Sequence, residues 1–131
     1  MKLTYLAQLI VLIIWVFVVG ALFMLMPDKR VAGALAGVGF LVIPIILIKS
    51  ELKKAQTSKL QIATAAIFLV CSALPIFLLR VLNWETDFQQ LSLFGLSADF
   101  LHKSSNVLYF FMVAAVAWNL IQEIKSTRQL K

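Results

Sequence analysis

Charged side chains are scarce in this sequence. Asp, Glu, Lys and Arg make up 14% of its 131 residues, where roughly a quarter is usual for globular chains. They are absent altogether from Leu9 to Met26, Val31 to Ile48, Ile62 to Leu79 and Val107 to Ile121. Proton- and cation-coupled carriers work with carboxylates at membrane depth. Runs without an acid therefore argue against that class, including the small multidrug-exporter type, which needs an acid in its first helix. Cysteine is nearly missing too. Cys71 is the single one, which excludes an internal disulfide, CxxC-type redox or zinc sites and quinone-linked disulfide chemistry. Its place in an apolar run reads as a small buried residue. The single histidine, His102, cannot hold a haem iron from both sides. The expectation is no cofactor and no metal.

What is present is apolar: 62% of the residues are hydrophobic. Leu9 to Met26 reads LIVLIIWVFVVGALFMLM, with no hydrogen-bonding side chain except the indole of Trp15. As a helix it covers ~27 Å, about the hydrocarbon thickness of a bilayer. A water-soluble domain would need one polar side on such a helix, and there is none. The run is long for a signal peptide and is followed by Met26-Pro27-Asp28 rather than a small-residue cleavage site, so the segment is expected to be retained.

The rest of the chain repeats this pattern. Spans are expected at about 6–26, 31–49, 60–80 and 101–122 in a single domain. The fold class is an all-α integral membrane protein, four transmembrane helices in an antiparallel bundle, because Pro27 to Arg30 is too short to do more than turn the chain back. The second run opens on VAGALAGVG. Gly33 and Gly37, with Gly39 nearby, form a small-residue face that lets helix backbones approach closely, either within this subunit or between copies. Pro44 should kink that helix. In the third run, the Ser72 hydroxyl is placed to bond a backbone carbonyl that Pro75 leaves free, and Arg80 should extend its guanidinium to the headgroups. Between the third and fourth runs, Trp84, Phe88 and Leu91 recur at i, i+4, i+7. Thr86 and Gln89 have capping-box spacing, and Gly95 can stop a helix. These predict a short interfacial helix between spans 3 and 4, with an irregular loop over the bundle as the alternative. Ser97 should cap the fourth helix, with Asp99 in its first turn.

Charge sets the orientation. Lys2, Lys49, Lys53, Lys54, Lys59, Lys125, Arg128 and Lys131 fall on one side, against Lys29, Arg30, Arg80 and Lys103 on the other. The heavier basic side faces the cytoplasm. Both termini are therefore expected there, in a bacterial inner (plasma) membrane. With the basic residues at helix ends, the net charge of +6 points to anionic headgroups and not to nucleic acid.

Two groups of residues could carry chemistry. On the outer face, Arg80, Glu85, Asp87, Asp99 and His102 are near in sequence. Asp99 and His102 at i, i+3 could bind a metal with a third ligand, or orient an imidazole. The simpler reading makes Asp99 a helix-start anion, His102 an interfacial polar residue, and Glu85 or Asp87 the counter-charge of Arg80. Within the membrane, the polar candidates are Gln8, Ser72 and Asn119. A bond between Gln8 and Asn119 across the first and fourth helices would contribute ~0.6–2 kcal/mol, as structural glue or as the lining of a substrate path. Trp15 and the Phe110-Phe111 pair read as bundle packing. The function expected is a non-enzymatic accessory, assembly or protein-binding subunit. An oligomeric transporter or channel is the alternative, and a membrane enzyme with an outer-face polar site comes third. The partners expected are the lipid bilayer and, through the glycine face or the outer segment, another membrane protein or a second copy.

Overall fold

The computed structural model describes residues 4–86, 90–93 and 95–129. Four helices are long and apolar enough to cross a membrane: Tyr5–Leu25, Lys29–Leu52, Lys59–Leu82 and Ala98–Gln129. Each begins at a short polar side chain that satisfies an otherwise unpaired backbone N–H. Thr4 accepts from Ala7 at 3.1 Å, Asp28 from Arg30 at 2.9 Å, Ser58 from Gln61 at 3.3 Å and Ser97 from Phe100 at 3.1 Å. Lys29 donates back to the Phe23 carbonyl at the end of the first helix. Only 11% of the apolar stretch of the first helix is buried within the protein, so most of it needs an apolar surrounding that the chain itself does not supply.

The core lies between the helices. Leu12, Leu47, Phe68, Met112 and Val116 are almost completely buried. Phe40 stands at its upper edge, with edge-on rings of Trp15 at 6.1 Å, Phe68 at 6.0 Å and Tyr109 at 5.6 Å. The Tyr109 hydroxyl donates to the Leu12 carbonyl at 2.6 Å, which satisfies a phenol at membrane depth and ties the fourth helix to the first.

The two prolines sit inside their helices. The second helix runs on past Pro44. In the third, residues Leu69–Ala73 form a π-turn in which the Leu74 N–H bonds the Leu69 carbonyl. A π-turn shifts the hydrogen-bonding register by one residue immediately before Pro75, which has no N–H to give. The Ser72 hydroxyl therefore does not take the expected role. It is buried and has no hydrogen-bond partner among the described residues.

The connection from the third to the fourth helix also differs from expectation. Residues 83–86 are turned, and Ser92–Leu93 pairs antiparallel with Leu96–Ser97 in register Ser92 to Ser97. Gly95 has φ +80°. It supplies the left-handed residue of a tight hairpin instead of ending a helix. Phe88 and Gln89, which carried the helical spacing and the capping box, lie outside the described residues, as does Asp87. Two further expectations are corrected. Cys71 is exposed, because Ser72 and Ala73 take the inward positions of that turn. Phe110 and Phe111 both face outward, since Tyr109 and Met112 already fill the inward side of that turn.

Candidate functional site

The start of the first helix, the end of the second, the start of the third and the latter half of the fourth meet at one end. There the polar side chains form a directed chain. The Ser58 hydroxyl donates to Asn119 Oδ1 at 3.2 Å. Asn119 Nδ2 donates to Gln61 Oε1 at 2.8 Å. Gln61 Nε2 donates to Gln8 Oε1 at 2.8 Å, and Gln8 Nε2 to Ser50 Oγ at 3.3 Å. Gln8 and Asn119 are thus joined across the first and fourth helices, not directly but through Gln61 of the third. Each amide both gives and accepts, which is the condition for burying it without a large penalty.

Beside this chain lies Glu51. Its side chain is completely buried. One carboxylate oxygen accepts from the Tyr5 hydroxyl at 2.9 Å and from the Ser58 N–H at 2.6 Å. The other faces the Lys54 ammonium at 3.3 Å, and that ammonium lies 3.3 Å from the centre of the Tyr5 ring. A buried carboxylate is tolerable where hydrogen bonds and a cation both reach it, and here both do. In the sequence, Glu51 sits in KSELKKAQTSK and reads as one acid in a basic surface segment. What turns it inward is the continuation of the second helix to Leu52, which places it on the buried face of Leu47, one turn earlier. Gln61 had a weak signal, a lone amide immediately before the apolar run that starts at Ile62.

The opposite end is open. A cleft of about 310 Å³ lies between the four helices at this end, lined by Val19, Phe23, Gly33, Phe77, Arg80 and His102 among others. Phe40 and Tyr109 form its floor. The Arg80 guanidinium lies against Gly33, where an added methyl group would overlap it. Gly37 meets the Phe77 ring, and Gly39 meets the indole of Trp15. The small residues therefore accommodate side chains of the third and first helices of the same chain.

The residues expected on the outer face divide. Arg80 and His102 share the cleft wall, joined there by Ser105 and Asn106 of the fourth helix. Glu85 faces Arg30 at 3.5 Å, and Arg30 also sits 5.6 Å from the Trp84 ring. Asp99 pairs with Lys103 at 3.0 Å. Among the described residues, no three His, Cys, Asp or Glu side chains come together as metal ligands. Asp28 is held below the usual carboxylate range, chiefly by the Arg30 backbone N–H.

Comparison with protein-family models, curated proteins and solved structures finds no match to this chain.

Proposed function

We propose that this chain is a four-span antiparallel bundle of a bacterial inner membrane, with both termini cytoplasmic. Its role is that of a non-enzymatic accessory subunit that binds a membrane partner. The observation that carries this reading is the directed chain from Ser58 through Asn119, Gln61 and Gln8 to Ser50. Polar groups that could line a path bond one another across all four helices, and so hold that end of the bundle shut. The basic excess at the same end supports a cytoplasmic placement. The described outer-face acids are paired with Arg30 and Lys103, which supports a structural role for them over a reacting one.

Reconstitution tests it. Vesicles carrying the chain are expected to stay as impermeable to ions and small solutes as empty ones. A membrane partner is expected to stay with the chain at fixed ratio through detergent purification. Reporters fused to either terminus should be active on the cytoplasmic side. A solute flux that disappears in Asn119→Leu would instead make the chain a transporter subunit.

A further inference from the structure

We infer that the cleft takes one acyl chain of a glycerol ester lipid, whose ester and glycerol oxygens are hydrogen-bonded at its mouth by His102, Ser105 and Asn106 of the fourth helix. The inference rests on reading the four helices as membrane spans. It does not depend on the proposed accessory role, and it asks nothing of the Arg80 charge.

Shape is the first ground. The cleft's volume, about 310 Å³, is at the small end of ligand pockets and exceeds the ~150 Å³ of an apolar cavity that holds benzene. Along the first helix it runs from Phe23 down to Val16, and along the fourth from His102 down to Tyr109, each a depth of ~10 Å at the helical rise. Below the mouth its walls include Val16, Val19, Ala36, Phe40 and Ile76. The Tyr109 hydroxyl on its floor is already given to the Leu12 carbonyl, so an alkyl chain leaves no hydrogen bond unmade there. The exposed residues of the lining, Val16, Gly20, His102 and Asn106, all belong to the first and fourth helices. The cleft thus opens sideways between these two helices, towards the bilayer. Gly20 keeps that gap clear: a Cβ added there meets nothing within 4 Å.

Polarity at the mouth is the second ground. His102, Ser105, Asn106 and Tyr109 fall at i, i+3, i+4 and i+7, one face of the fourth helix, and all four line the cleft. Unlike Tyr109, the first three side chains have no hydrogen-bond partner among the described residues. Asn106 stands immediately before the uncharged run Val107 to Ile121, where hydrocarbon gives way to the interface. That is the level of a lipid's ester groups. An Asn amide and a Ser hydroxyl each donate and accept, which suits ester carbonyls and glycerol hydroxyls alike. A plain hydrocarbon would leave these groups without a partner, and free glycerol would leave the apolar depth unfilled. A membrane phospholipid and a free monoacylglycerol share this chemistry.

The test uses the whole chain in a neutral sterol-glycoside detergent, which has no linear chain to compete. The probe is a monododecanoylglycerol with a photoreactive diazirine in mid-chain, and labelled residues are located by peptide mass spectrometry. Label is expected at Val19, Gly20 and Ile76 in the cleft, well above that at the outward-facing Phe17, Val70 and Phe111. Plain monododecanoylglycerol should displace the probe at a ~10-fold lower mole fraction in the micelle than dodecane, the size of one or two net hydrogen bonds. Glycerol alone should not displace it. Asn106→Leu should narrow the advantage over dodecane to ~3-fold or less. Gly20→Leu should abolish labelling in the cleft while leaving helicity unchanged, and it keeps the test decisive if Asn106→Leu fails to fold. Label spread evenly over cleft and outward-facing residues would overturn the inference, as would equal displacement by dodecane or a folded Gly20→Leu labelled like wild type. Lipids carried through purification from native membranes separate the sources. A monoacylglycerol or a phospholipid held by wild type and lost from Gly20→Leu each supports the site, and retention of neither overturns it. Failure to recover the chain in the membrane fraction would end the membrane reading itself. A membrane-embedded chain labelled outside the cleft ends only this inference.

Discussion

Where the first helix begins, polar side chains are buried and bonded to one another. Where it ends, they are exposed or set around open space. The same four helices make both ends, so the difference comes from side-chain length and type at each. At the closed end, three amides and two hydroxyls are long enough to reach across the bundle and complementary enough to form one directed chain. At the open end, the second helix offers glycine and alanine, and the first offers Gly20. Backbones there carry little to fill the space between them. The aromatic group of Phe40, Phe68 and Tyr109 divides the two regions. One end has the features of a clamp, the other those of a receptacle.

This contrast can be broken most sharply at Glu51. Glu51→Ala removes the carboxylate that Tyr5, Ser58 and Lys54 surround and leaves a largely buried cation behind. A loss of ~3–5 kcal/mol is expected, measured by SDS titration of helicity in detergent. A paired test compares two glycines. Gly39→Leu forces a side chain into the Trp15 indole and should cost ~1–3 kcal/mol. Gly20→Leu enters open space and should leave the unfolding midpoint unchanged or raised. If both glycines respond alike, the two ends are not packed differently. A smaller loss, ~1–2 kcal/mol, is expected for Gln61→Leu, which interrupts the chain between Gln8 and Asn119. The double variant with Asn119→Leu should lose less than the sum of the two single losses, because both act on one network. The smallest effect is at the exposed turn. Asp28 has a depressed carboxyl pKa in the folded state. Its contribution is present above the unfolded-state value and is lost as pH falls through the lower, folded one. Asp28→Asn should flatten that acid-side slope in a melting-temperature series without changing stability at neutral pH by much.

The helices were legible because lipid-facing residues announce themselves by what they omit. An uncharged run of eighteen residues, such as Val31 to Ile48, has few other structures open to it, and the Ser97 cap follows from local chemistry. Gln8 and Asn119 were also legible as polar groups needing a partner at membrane depth. Gln61, their bridge, was not, since a third helix had to pass between them. Glu51 was hidden for a related reason. Its surroundings in sequence are basic and polar, and only the rotation of the helix end turns it inward. The hairpin around Gly95 was misread because a glycine can end a helix or make a tight turn, and apolar spacing alone does not decide which.

The sequence by itself determined that this chain has four helices fit for lipid, because burying a backbone in hydrocarbon requires helical hydrogen bonding and an apolar exterior wherever the chain crosses. Only the tertiary structure decided which polar groups meet and where space is left between the helices. Both depend on the rotation and relative height of packed helices, quantities that no run of residues along a single helix contains.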